Sequence, residues 1–290
     1  MTTNNSIMFT LIRIIIISLV LGVSGLSAQE FQGIATYKTK RKVDLKIDST
    51  NTSLTPEVQK QMAEMLKKQF ERTYILTFNK EESVYREDEE LSSPQPQMST
   101  GGVMIKALGG GGSDILYKNT KESSFVNQNE LLGKMFLIKD QLETREWKLE
   151  SDTKNIGEYS CYKATFTEEV EIMEANFGDD SKDDEPKTRT ETRTVTAWYT
   201  PQIPVSNGPE QYQGLPGLIL ELNDGNQQIV CSKIVLNPED KVTIKKPTQG
   251  KEVNQEEFDQ ISEEKMKEMQ EQFRSRRGDG GSTMQIRIGG

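Results

Sequence analysis

From residue 31 onward the chain is a succession of short alternating runs, and this pattern restricts the fold more than any other feature. Ile34, Thr36 and Lys38 alternate with Ala35, Tyr37 and Thr39. Further runs are Tyr74 to Phe78, Ser83 to Tyr85, Ile115 to Tyr117, Ser124 to Val126, Met135 to Ile138, Tyr159 to Phe166, Arg193 to Tyr199, Leu218 to Leu222 and Gln228 to Leu236. They are rich in aromatic and β-branched residues and are broken by Asn, Asp, Gly and Lys. Such spacing predicts antiparallel strands, and nothing in it repeats as strand–helix–strand. The expected class is mainly β, a β-rich α+β fold.

Two short helices are predicted to interrupt the strands. The first opens at Thr55-Pro56-Glu57, a hydroxyl N-cap followed by proline and an acid, with Val58, Met62, Leu66 and Phe70 on one face. The second runs from about Gln255 to Arg274, with Phe258, Ile261, Met266, Met269 and Phe273 as a looser stripe. Residues 92–113 and 177–187 are expected to be flexible hairpin tips, and 275–290 a Gly-rich tail.

The N-terminus predicts export. Arg13 is the only charge in residues 1–28 and is followed by the apolar run Ile14 to Leu21, then by Gly22, Ser24, Gly25, Ser27 and Ala28. This is the order of a secretory signal peptide, with cleavage expected between Ala28 and Gln29. A membrane-spanning helix needs about 20 apolar residues, which Arg13 and the Gly/Ser cluster interrupt. Gln29 follows the cut where a lipoprotein would carry cysteine. The expected mature protein therefore has no membrane anchor and is periplasmic or secreted. Residues 29–236 are read as a β-rich domain and 237–290 as a C-terminal helix and tail.

Signal removal takes one positive charge from a chain whose formal net charge is already −9. Nucleic acid is a poor partner for such a field. The chain has no histidine, which excludes Ser-His-Asp and Cys-His catalysis and histidine-ligated zinc. Its two cysteines, Cys161 and Cys231, are too few for a four-cysteine metal site. No cofactor or metal is expected. In an oxidising compartment the even count favours a Cys161–Cys231 bridge, against two buried thiols on strands that never meet.

Other features read as scaffold. Gly109 to Gly112 lack the Lys-Ser or Lys-Thr of a phosphate loop and lead into a strand, so they read as a flexible tip. The acidic run Asp179 to Glu185 lacks the glycine and terminal Glu of a compact calcium loop. Met62, Met65, Met266 and Met269 fit helix packing better than a copper site. Glu168, Glu169, Glu171, Glu221 and Asp224 are the candidate carboxylates for glycan hydrolysis, the alternative function.

The informative region is 147–224. Asn155-Ile156-Gly157-Glu158-Tyr159-Ser160-Cys161-Tyr162-Lys163-Ala164 is followed by Ala197-Trp198-Tyr199-Thr200 with Ile203-Pro204. Gly208-Pro209 and Gly214-Leu215-Pro216-Gly217-Leu218-Ile219 come next. In these segments and this order the chain resembles the GLPGLI family, exported proteins of Bacteroidetes-type bacteria named for the last motif. The match departs at Glu158, where the family tends to have glycine, and in the acidic insertion before Ala197. Cys231 and residues 237–290 fall outside it. The resemblance implies a sheet forming an open barrel or bowl and an envelope partner such as an outer-membrane receptor. It carries no activity onto any residue, so the leading expectation is a non-catalytic binding or accessory module. Tyr159, Cys161, Lys163, Ala164, Trp198, Tyr199, Pro204, Gly208, Pro209, Gly214, Pro216 and Gly217 are its motif positions.

The Pro and Gly density of 201–217 fixes a backbone path. The segment is expected to be a rigid crossover over one end of the sheet, with Gly217 at positive φ. The other reading is a ligand-binding lip formed by Gln211, Tyr212, Gln213, Gly214, Leu215, Pro216 and Gly217, with Gln211, Tyr212 and Gln213 exposed.

Overall fold

The computed structural model describes residues 31–41, 43–47, 71–88, 114–174, 187–276 and 284–288. The signal segment, the helix expected at Thr55 and the tips of 92–113 and 177–187 lie outside the described residues. The strands that flank those tips, β4 (Glu82–Glu87) with β5 (Ile115–Asn119) and β9 (Tyr159–Glu174) with β10 (Lys187–Thr200), pair antiparallel.

Twelve strands make one sheet, and it is assembled from two meanders. The first is β3 (Glu71–Asn79), β4, β5, β6 (Ser124–Leu131) and β7 (Lys134–Gln141). The second is β8 (Lys148–Ile156), β9, β10, β11 (Leu218–Asn223) and β12 (Gln227–Leu236). β1 (Gln32–Arg41) joins them, pairing with β3 on one side and β12 on the other. β13 (Lys251–Val253) adds to β7 in parallel, the one parallel pair of the sheet among the described residues. A separate ribbon pairs β2 (Val43–Ile47) with β14 (Met284–Ile288), so part of the expected Gly-rich tail is strand.

The sheet is curled. Ten strand spacings separate β7 from β8 along its order, about 48 Å if it were flat. Yet the chain passes between them in the six residues 142–147, which reach at most about 25 Å. Rolling the sheet reconciles the two. Among the described residues β13 and β8 do not pair, so it remains open rather than closing into a barrel.

Register assigns the inner face. Ala35, Leu76, Tyr85 and Leu116 lie directly opposite one another on successive strands, and all four are buried. Between them, the other parity of the same strands carries Val84, Tyr117, Val126 and Leu137, a second buried cluster under Ile244. Both faces of β4–β7 are thus covered. α1 (Gln255–Arg276) agrees with the second predicted helix but is longer. A reciprocal capping box starts it: Glu257 N–H donates to Asn254 Oδ1 at 2.8 Å, and Asn254 N–H to Glu257 Oε2 at 3.0 Å. Phe258 meets Phe136 edge to face at 5.4 Å. No helix among the described residues is long and apolar enough to cross a membrane.

Candidate functional site

Residues 201–217 form a plug packed on the sheet. Successive short turns tighten it: Val205 N–H bonds to Ile203 O and Asn207 N–H to Val205 O, each at 2.8 Å. Leu218 and Ile219 then return alongside, their N–H groups donating to Ile203 O and Asn207 O at 3.0 Å each. Ile203, Val205, Asn207, Tyr212 and Leu215 are buried. The crossover reading is therefore what the backbone shows. Tyr212, expected at the surface, is only 6% exposed, a correction that follows from its packing beneath Arg145.

The glycines of this stretch act differently from one another. Gly217 does not have positive φ. A Cβ there would stand 2.1 Å from Thr200 O, so the requirement is close backbone approach rather than left-handed conformation. Gly214 does have φ +97°, with the Trp147 indole alongside.

Three side chains outside the plug hold it. Lys118 of β5 is fully buried, and its ammonium donates to Gly208 O at 2.7 Å and Tyr212 O at 3.5 Å. Burial pushes its pKa down to about 7, the Arg145 charge adds to this, and Glu210 opposes it. Arg145 donates to Gln211 O at 3.0 Å and lies over the Tyr212 and Phe166 rings at 4.8 and 5.7 Å. The Trp147 indole donates to Gln213 O at 2.9 Å. Tyr37 completes the lock from β1, its hydroxyl donating to Ile219 O at 2.7 Å.

At the end of this plug, Glu210 sits in the left-handed region with φ 50°, a conformation that costs a non-glycine residue about 1–2 kcal/mol. The strained turn carries its carboxylate against the inner face. Gln227 of β12 donates to both its oxygens at 3.0 and 3.1 Å. Burial raises the Glu210 pKa despite this bond and despite Arg41. Its charge in turn raises the phenols of Tyr74 and Tyr85 beyond what burial does. Those two rings stack at 4.9 Å. Around them the charges are matched: Arg72 with Glu87 at 3.3 Å, Arg193 with Glu168 at 2.7 Å and with Asp224 at 3.6 Å. Asp114, whose carboxylate accepts from Asn129 Nδ2 at 2.9 Å, has its pKa raised to about 7, by burial first and by the Glu87 and Glu130 charges as well.

Gln227 Oε1 is buried here without a hydrogen-bond partner among the described residues. The Thr39 and Tyr85 hydroxyls face one another, and the Thr39 hydroxyl opposes the rise that burial gives the Tyr85 phenol. The site is thus a polar cluster flanked by tyrosines. Among the described residues there is no group of three or more acids or thiols arranged to hold a metal ion.

The positions singled out in the sequence scatter around this cluster. Lys163 pairs with Glu150 at 2.8 Å, and Glu221 with Lys154 at 2.7 Å beneath the Trp198 ring. Glu169 is exposed, and the side chain of Glu171 lies outside the described residues. Ala164, Tyr199, Gly208 and Pro209 are buried, Tyr159 is half-buried, and Pro204 and Pro216 are exposed. Cys161 on β9 and Cys231 on β12 are both buried and stand as free thiols in this structure. Burial pushes the thiols up to about 11 and about 12. Sequence reasoning missed Lys118, Arg145, Glu210, Tyr74 and Tyr85. Lys118 had a signal: it shares the inward parity of Leu116.

A family model described as a protein of unknown function (Porph_ging) matches residues 147–221, which span β8 to β11 and the plug. No curated protein matches. Two solved structures of PNGF-II, in space groups C2 and P21, match with TM-scores of 0.45 and 0.44 at 13% identity. The alignments cover 80% and 79% of this chain and 32% of each of theirs, so the chain spans about a third of their length.

Proposed function

We propose that this protein is an exported, non-catalytic binding or accessory module of the cell envelope, and that its recognition surface is the cluster around Glu210. We further place it in the GLPGLI family, because the motif Gly214 to Ile219 and the segments that precede it in family order lie within the matched residues. The observation that carries the binding reading is the strained Glu210 turn, which sets a carboxylate against Gln227, whose own amide oxygen is buried without a partner. Strain of this kind clusters at ligand sites. The hydrolase alternative is weaker. Glu168 and Asp224 share the Arg193 guanidinium, and Glu221 is paired with Lys154.

The test is affinity capture from envelope extract, followed by mass spectrometry of small molecules and proteins, with wild type and Glu210→Gln side by side. Enrichment of one species by wild type, reduced in a variant whose melting temperature is not lowered, is the expected result. Capture indifferent to Glu210 would move the recognition surface elsewhere. Fractionation tests the export reading: the expected product begins near Gln29, and a full-length species in the inner membrane would overturn it.

A further inference from the structure

We infer that residues 238–249 form a strap that swings open while the sheet stays folded, uncovering an apolar floor on the outer face of β4–β7. The strap leaves β12 and re-enters the sheet at β13, and between them it is neither helix nor strand. The two residues that bound it, Asn237 and Gly250, both have positive φ, 46° and 124°. Each bound is fixed to the sheet. Asn237 N–H donates to Gln32 O at 2.8 Å, and Gln32 N–H donates to Asn237 Oδ1 at 3.3 Å. Gly250 lies against β7, where an added Cβ would stand 2.6 Å from the Phe136 carbonyl carbon. Positions of this kind, at the ends of a segment, are where a hinged motion is absorbed.

Between those ends the strap is seated by side chains. Val242, Ile244 and Pro247 are half-buried, while Thr243, Lys245 and Lys246 are exposed. Ile244 packs on Val84, Tyr117, Val126 and Leu137, none more than 8% exposed, and the Lys246 ammonium lies 5.5 Å from the centre of the Tyr117 ring. Val242 N–H reaches Gln32 Oε1 at 3.3 Å. Tyr117 has the opposite parity to Lys118, so this floor faces away from the plug. The strands beneath are held differently: β6 and β7 face each other over eight successive residue pairs of an antiparallel ladder. Lifting the strap breaks its side-chain contacts and leaves every ladder intact. It therefore opens at a fraction of the cost of unfolding the sheet.

Native-state thiol labelling tests this. Val126→Cys and, in a separate protein, Val84→Cys place a reporter thiol in the floor, and the buried Cys161 and Cys231 report opening of the sheet in the same molecule. Protein reduced beforehand is exposed to excess iodoacetamide at several urea concentrations below the unfolding transition, and each modified peptide is quantified by mass. The floor thiol should react at least about 100-fold faster than Cys161 and Cys231, at a rate nearly independent of urea. Adding Ile244→Ala should speed it about tenfold more, because the strap loses its apolar anchor. One rate and one urea dependence for all three thiols would overturn the inference, since the strap would then open only with the sheet. A floor thiol that reacts as fast as one in the unfolded chain would overturn it too, since nothing would then be covered. Opening reported at only one of the two floor positions would do the same, because one strap covers both.

Discussion

Replacing Lys118 with methionine isolates the group that fastens the plug to the sheet. The ammonium is fully buried and makes one short bond, to Gly208 O, and one long one, to Tyr212 O. Methionine fills similar volume and leaves at least one buried carbonyl without a donor, a loss of about 1–3 kcal/mol. The second contribution depends on pH. In the folded protein the lysine loses its proton near pH 7, whereas in the unfolded chain it holds the proton to about pH 10.4. Between those limits the unfolded state binds more protons, so wild-type stability rises with pH by up to about 1.4 kcal/mol per unit from this group. Below pH 6 both states are protonated and the slope vanishes, leaving a buried charge that wild type must accommodate. Urea unfolding of both proteins at pH 6, 7.5 and 9.5 measures this. Taking the difference between them cancels Asp114 and the buried tyrosines, which titrate in both. The advantage of wild type over Lys118→Met should be smallest at pH 6 and grow by about 2 kcal/mol from pH 7.5 to 9.5. A difference that stays flat over that range would refute the account of Lys118 as a lysine kept neutral by burial.

Gly217→Ala should destabilise by about 3 kcal/mol or more in denaturant unfolding, because its Cβ meets the Thr200 carbonyl, which is backbone and cannot rotate away. Gly157→Ala, at φ +58° with open space around it, should lose only about 1 kcal/mol. Unfolding without reductant in the presence of an alkylating agent should label both Cys161 and Cys231, and intact mass showing neither labelled would mean a bridge. Glu210→Gln should raise the melting temperature at pH 8 but not near pH 4. Its folded pKa is raised, so the carboxylate withdraws stability as pH climbs above the unfolded value of about 4.3, and the amide does not.

The strands that face a core on one side were legible because burial imposes a period of two. β1 reads Gly33, Ala35, Tyr37 and Thr39 inward, with Ile34, Thr36 and Lys38 between them. β8 was not legible for the converse reason. Its sequence Lys-Leu-Glu-Ser-Asp-Thr-Lys-Asn-Ile lies at a sheet edge with most residues exposed, so neither face selects apolar side chains. β13 is three residues long and pairs in parallel, too little sequence to carry a period. The Pro and Gly density of 201–217 announced a fixed path. Glycine composition alone does not distinguish positive φ, as at Gly214, from close approach, as at Gly217.

The cluster around Glu210 was hidden because its members come from five places in the chain and share no local pattern. Arg41, Tyr74, Tyr85 and Gln227 become neighbours only through the register of β12, β1, β3 and β4, and Glu210 reaches them only because the plug folds back. Core closure does not account for that last step. Ile203, Val205 and Leu215 already fill the apolar interior, and Lys118, Arg145 and Tyr37 already fix the backbone. A plug with only that task gains nothing from forcing residue 210 into the left-handed region, where glycine or asparagine would sit with less strain. It gains still less from burying a carboxylate there, since burial raises its pKa and disfavours its charge. Both penalties are borne at one residue, beside the buried Gln227 amide oxygen that lacks a partner. Their coincidence is what the binding role proposed for this surface would account for.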